Sequence, residues 1–149
     1  MMHDISHITA DTQGRNRLVD IFFYGLYMDD EILKSRGVVP KNKRTGVADG
    51  YRLRIGNNAT LLRNRGTKAY GLICSLSHNE INSLYTGSGL MNYVSESVLV
   101  EIDNGWTVSA LCYLLLVPPS AEEINDDYYE KLSSCLKSCG LPVPQKDQI

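Results

Sequence analysis

The sequence predicts an α+β fold of about six strands, enough for the sheet to curl into a small barrel, with two medium helices and one short one. Three observations carry this. β-rich apolar runs recur from Val19 to Val117, punctuated by glycine and asparagine turns. Two capping-box signatures, Ser77-His78-Asn79-Glu80 and Ser120-Ala121-Glu122-Glu123, each stand before apolar residues at helical spacing. The strands mostly follow one another in sequence, with helices inserted after the first and fourth.

Taken in order, Val19-Asp20-Ile21-Phe22-Phe23-Tyr24 is the first strand, and Gly25 ends it. Asp29-Asp30-Glu31 opens a short helix through Leu33, with acids at its positive end and Gly37 as a stop. Residues 46–55 and 59–63 are strands joined through Gly56-Asn57-Asn58, and Arg65-Gly66 turns the chain into a further strand at 69–75. Ile81, Leu84 and Tyr85 give the next helix its apolar face, and Thr86-Gly87-Ser88-Gly89 breaks it. Residues 93–102 and 106–117 form a hairpin through Asn104-Gly105. After Pro118-Pro119, Tyr128, Leu132, Cys135 and Leu136 line one face of the last helix, and Gly140 caps it.

The chain has 149 residues, 43% hydrophobic and 21% charged, with a net charge of −2. These values suit one folded domain and argue against disorder. We read residues 1–18 as a flexible lead-in, 19–140 as the domain and 141–149 as a tail. The longest apolar run, 110–117, is strand-sized and far short of a membrane span, and the polar first residues do not read as a signal peptide. The expectation is a cytoplasmic protein without a membrane partner. Cys74 and Cys112 sit in apolar strands, and Cys135 and Cys139 are four apart on a helix. The histidines are His3, His7 and His78, which leaves too few ligands together for a metal; no metal and no cofactor is expected.

Charge is segregated along the chain. Between Lys34 and Lys68 lie ten of the 15 basic residues, opposed only by Asp49. Such a segment suits an anion, or else a solvated face that attracts the acidic remainder or a second copy in a homo-oligomer. Arg52 and Arg54 alternate with Tyr51, Leu53 and Ile55, so they are expected on the wet side of a strand, together with Arg63 and Arg65. No interleaved aromatics support stacking on single strands, so no nucleic acid is expected as a partner.

The most informative stretch is Phe22-Phe23-Tyr24-Gly25-Leu26-Tyr27-Met28-Asp29, where a strand runs into glycine and a helix opens within a few residues. Backbone amides at such a turn are unpaired and can hold a carboxylate or carbonyl oxygen; by composition alone, an ordinary strand-to-helix turn with core aromatics explains it equally. Tyr24-Gly25-Leu26-Tyr27-Met28-Asp29 resembles the Tyr-Gly loop of the γ-glutamylcyclotransferase-like, or AIG2-like, family. Further landmarks follow in order: Gly50-Tyr51-Arg52-Leu53, Ala69-Tyr70-Gly71-Leu72-Ile73, Tyr93-Val94-Ser95-Glu96-Ser97-Val98 and Ala110-Leu111-Cys112-Tyr113. The resemblance spans residues 19–117.

The resemblance implies a small mixed β-barrel with flanking helices and a cavity at the Tyr-Gly loop. Family enzymes cyclise a γ-glutamyl group to 5-oxoproline and release the amine. It assigns ligand binding to Tyr24, Gly25, Leu26, Tyr27, Ser88 and Tyr93. It also implies a glutamate that takes the proton of the substrate α-ammonium, which must be lost before the amine attacks. That glutamate falls on Ser88 here, within Leu84-Tyr85-Thr86-Gly87-Ser88-Gly89, and Leu26 replaces the loop serine. Glu96 and Glu80 are the weak substitutes, Glu80 being better explained as a capping residue. Two readings follow. One is a pocket for a γ-glutamyl or similar amino-acid-like small molecule, with transferase activity weak or lost, as in a pseudoenzyme. The other is an active cyclotransferase that uses a displaced acid.

Overall fold

The structure is a computed structural model, and it describes residues 17–86, 90, 92–103 and 105–149. The lead-in at 1–16, the Gly87-Ser88-Gly89 part of the helix break and Asn104 of the hairpin turn therefore lie outside the described residues. Five strands, β1 (Leu18–Phe23), β2 (Lys41–Ile55), β3 (Ala59–Ser77), β4 (Tyr93–Ile102) and β5 (Thr107–Leu115), close into a barrel in the order β1-β3-β2-β4-β5. The barrel is mixed. β1 meets β5 in parallel at Ile21 and Leu111, and the other neighbours are antiparallel. β1 thus lies between β3 and β5, away from any edge. Among the described residues, three helices flank the barrel: α1 (Asp30–Ser35), α2 (His78–Tyr85) and α3 (Asp126–Ser138). None of the described helices is long and apolar enough to cross a membrane.

The six expected strands become five because residues 59–63 and 69–75 belong to one strand. Arg65-Gly66, read as a turn, is a bulge. Tyr51 pairs with Arg63 and Asp49 with Lys68, so Gly50 alone faces the four residues between Arg63 and Lys68. Gly50 at φ 86° and Gly66 at φ 89° adopt the left-handed backbone that lets both strands bend there. The Thr67 hydroxyl donates within the bulge, toward the carbonyls of Tyr51 at 2.9 Å and Asn64 at 2.8 Å. Both strands continue past the bend and carry the ribbon into the barrel wall.

The barrel interior follows the period-two pattern of the strands. Ala110, Cys112 and Leu114 of β5 point inward with Val98 and Val100 of β4, and Ile21, Phe22 and Phe23 of β1 are buried beside Ile73 and Leu76. Each fully buried side chain of this size contributes about 1.5–3 kcal/mol of hydrophobic stabilisation. α2 packs onto the barrel core. Ser77 and Glu80 form the expected capping box, at 3.2 Å and 2.9 Å, and Ile81 and Leu84 are buried. α3 covers another face with Leu132 and Leu136. The segment at 141–149 returns to the domain, where the Tyr129 hydroxyl donates to the Pro144 carbonyl at 2.8 Å and Arg52 donates to the Gln148 carbonyl at 3.1 Å.

Two further expectations are corrected. Ser120-Ala121-Glu122-Glu123 does not begin a helix; α3 starts at Asp126, capped by the Asn125 side chain, which accepts from the Tyr128 amide at 3.0 Å. Residues 120–123 form a turn instead, and the Glu123 carboxylate accepts from the amides of Asn57 and Ser120. Arg54 is not on a wet face. It is 9% exposed, and its guanidinium donates to the carbonyls of Ile55, Ser120 and Glu123. Together with the Asn57–Glu123 bond, this cation ties the hairpin rim to the 120–123 turn, which the alternation along β2 could not reveal. Arg63 and Arg65 are exposed, as expected. The basic segment also pairs within the chain: Lys43 with Asp30 at 2.8 Å, Arg44 with Asp20 at 2.9 Å and Arg63 with Glu96 at 3.8 Å.

Candidate functional site

β1 delivers its last buried aromatics, Phe22 and Phe23, to the barrel mouth, and the chain leaves the sheet at Tyr24-Gly25. A single 3-10 turn (Leu26–Met28) follows, and the Asp29 side chain caps α1 by accepting from the Glu31 amide at 2.9 Å. This strand-to-helix corner borders a cavity of about 220 Å³. Tyr24, Gly25, Leu26, Tyr27 and Tyr93, all expected at a site, line it together. Ser88, the remaining expected residue, lies outside the described residues.

Tyrosines dominate the lining. Tyr27 packs edge-on against Phe23 at 5.7 Å and Tyr85 at 5.5 Å; Tyr85 in turn stacks on Tyr113 at 3.9 Å and lies 5.9 Å from Tyr93. These contacts fix ring orientations and make a rigid aromatic wall. Three of the hydroxyls donate to the backbone. Tyr24 donates to the Tyr113 carbonyl at 2.5 Å, Tyr27 to the Leu84 carbonyl at 2.6 Å, and Tyr93 to the Ala59 carbonyl. Burial raises the pKa of Tyr24, Tyr85 and Tyr93, because a phenolate in this apolar setting would lose its hydration. These rings are therefore neutral across the physiological range.

The loop amides are expected to be free, and two are not: the Met28 amide donates to the Gly25 carbonyl at 3.0 Å, and Leu26 is engaged as well. The Leu26 amide donates to the Tyr128 hydroxyl of α3 at 3.2 Å. Burial pushes the Tyr128 phenol up to about 12, with the Leu26 amide acting in the opposite direction. The glycine at position 25 makes room for this contact, since a Cβ there would lie 2.5 Å from the Tyr128 oxygen. The Tyr27 amide has no hydrogen bond among the described residues.

Of the lining residues that were not expected at the site, four bring polar side chains: Arg36, Asn58, Tyr85 and Tyr128. Tyr85 and Tyr128 read as core positions of amphipathic helices, and half-buried aromatics at a pocket give the same periodic signal. Arg36 was one of ten bases in a segment, with nothing local to single it out.

The two substitute acids are elsewhere. The Glu80 carboxylate accepts the Ser77 amide at 2.9 Å within its capping box. Glu96 is on the outer side of β4 facing Arg63. Among the described residues, no carboxylate lines the cavity, and Arg36 is its one formally charged group.

No family model matches the sequence, and no curated protein matches it. Solved structures do match. A γ-glutamyl cyclotransferase aligns with TM-score 0.73 at 21% identity, over 85% of this chain and 82% of that one. A human protein described as uncharacterised aligns with TM-score 0.74 at 21% identity, over 85% of this chain and 83% of that one. A yeast γ-glutamyl cyclotransferase specific to glutathione aligns with TM-score 0.59 at 11% identity, over 87% and 90%. The ordered motifs, the closed mixed barrel and these likenesses agree: the chain has the γ-glutamylcyclotransferase-like fold.

Proposed function

We propose that this protein binds a γ-glutamyl or similar small amino-acid-like molecule in the tyrosine-lined cavity, and that it turns γ-glutamyl substrates over weakly or not at all. One observation carries the reading: the cavity borders the Tyr24–Tyr27 corner, yet no carboxylate lines it among the described residues. Size supports it, because about 220 Å³ admits an amino-acid-sized molecule and excludes a bulky peptide. Cyclisation requires an ammonium to surrender a proton before it attacks the γ-carbonyl. Losing the general base for that step costs a factor of about 10² to 10⁴. The neutral tyrosines lining the cavity cannot substitute, since burial raises their pKa and makes them reluctant even to ionise. Purified protein incubated with a panel of γ-glutamyl amines and peptides tests the activity through release of 5-oxoproline. Calorimetric titration with the same panel and with 5-oxoproline tests the binding. Efficient turnover overturns the second half of the proposal, and absence of any binding overturns the first.

A further inference from the structure

A second cavity, of about 400 Å³, lies between the β2–β3 ribbon and the segment at 141–149. Among the described residues it shares only Tyr24 with the corner cavity. Buried Leu53, Ala69 and Leu136 give it an apolar lining, together with Val143 of the returning segment. Arg52 of β2 and Lys68 of β3 border it, and no Asp or Glu lines it among the described residues. Neither cation pairs with a carboxylate there. Arg52 gives one N–H to the Gln148 carbonyl at 3.1 Å and has others to offer. Lys68 makes no ion pair or side-chain hydrogen bond among the described residues. Asp49, opposite Lys68 in the strand register, neither pairs with it nor lines the cavity. The returning segment is held in place by the Tyr129–Pro144 bond at 2.8 Å and by the Lys146–Asp126 ion pair at 2.9 Å, so the walls are pre-formed. An apolar lining with a few polar groups, in a volume of about 300–1,000 Å³, is the usual make-up of a small-molecule site.

We infer that this cavity is a second ligand site, for an amphipathic monocarboxylate, that is, one carboxylate on an uncharged apolar body, with Lys68 as the carboxylate anchor. The Lys68 ammonium donates to the carboxylate, and Arg52 adds positive potential and its remaining N–H groups. The apolar body displaces water from Leu53, Leu136 and Val143. A cation of the same shape meets two like charges and no acid, and a small acid without the body leaves the apolar wall wet. The site gives a role to part of the basic segment at 34–68, which the proposed function leaves without one. It is separate from the corner cavity, so it stands or falls independently of γ-glutamyl binding there.

The test titrates the full chain with three probes and follows heat: octanoate, octylammonium and acetate. Octylammonium keeps the body and reverses the charge, and acetate keeps the charge without the body. Octanoate should bind saturably, at least about tenfold more tightly than octylammonium, as expected for hydrogen bonds to a charged group. Acetate should bind at least about a hundredfold more weakly than octanoate, because its chain buries almost no apolar surface. Lys68→Gln, at an exposed position, should lower the octanoate affinity by about tenfold with the thermal midpoint unchanged. Amide shifts in nitrogen-15 spectra locate the ligand: on adding octanoate they should move at Lys68, Ala69 and Val143. Shifts confined to Gly25–Tyr27 would put the acid in the corner cavity and overturn the second site. Equal binding of octylammonium, or an unchanged octanoate affinity in Lys68→Gln, overturns the carboxylate anchor. No saturable binding of octanoate overturns the inference as a whole and leaves the γ-glutamyl reading untouched.

Discussion

The hydroxyl of Tyr128 stands 3.2 Å from the amide of Leu26, a contact between the last helix and the first loop that only a glycine at position 25 permits. It ties α3 to the barrel mouth and fills the donor position that the strand-to-helix corner would otherwise present. Tyr128→Phe removes the acceptor and should cost about 1 kcal/mol in denaturant unfolding. Gly25→Ala should cost a similar amount, since its Cβ displaces the free end of a side chain and not backbone. Because both changes break the same contact, the double variant should cost little more than either alone. Fully additive losses would show that the two residues do not meet.

A second prediction separates the arginines. Arg54 is a buried cation held by three carbonyls, so Arg54→Gln should lower stability by about 2–3 kcal/mol, in keeping with lost hydrogen bonds from a charged group. Arg65 is exposed, and Arg65→Gln should change stability by no more than about 0.5 kcal/mol. Equal effects of the two in urea melts would contradict the burial difference.

The tyrosines give a pH prediction. Burial raises the folded-state pKa of Tyr24, Tyr85, Tyr93 and Tyr128 above the unfolded value of about 10. The folded chain therefore holds more protons than the unfolded one once the pH passes about 10. Stability from this source is complete below that pH and declines as pH rises through the folded values. An alkaline titration followed by tyrosinate absorbance should show these phenols ionising together with loss of near-UV circular dichroism. Smooth early ionisation of all nine tyrosines in a chain that stays folded would contradict their burial.

The chain order of the fold was legible because it depends on local signals. The Ser77–Glu80 capping box, the apolar first strand and the glycine that ends it each act over a few residues, and each is found where the pattern puts it. The misreadings are non-local. Arg65-Gly66 carries the composition of a turn, but pairing with β2 on both sides keeps it inside one strand. Arg54 has the alternation of a wet position, and only the 120–123 turn, far along the chain, buries it. Ser120–Glu123 has a capping-box sequence and makes half of the box, the Glu123 carboxylate accepting the Ser120 amide, but the same carboxylate also holds the Asn57 amide and the helix begins only after Asn125. The site divides the same way. Tyr24 to Tyr27 are visible as a corner, whereas Arg36, Tyr85 and Tyr128 join it only through tertiary packing.

Ser88 carries the last prediction. The resemblance places it where family enzymes hold their glutamate, and the neighbours Gly87 and Gly89 supply no acid either. Ser88→Glu would return a carboxylate to a chain whose described cavity has none. At the place that the resemblance assigns to it, partial desolvation would raise its pKa toward the range useful for a base. The variant should release 5-oxoproline from γ-glutamyl-methylamide about 10²-fold faster than the wild type. It should also bind that ammonium-bearing probe more tightly than the wild type, because the cation now has a partner. Ser88→Gln is the control: similar in size and polarity, it cannot take the proton and should gain no activity. A gain in Ser88→Glu alone supports the proton-transfer role and the assigned position together. Gains in both variants would assign the effect to altered shape. If the wild type already matches the glutamate variant, an acid outside the described residues or a water-borne base carries the step, and the weak-turnover proposal is wrong.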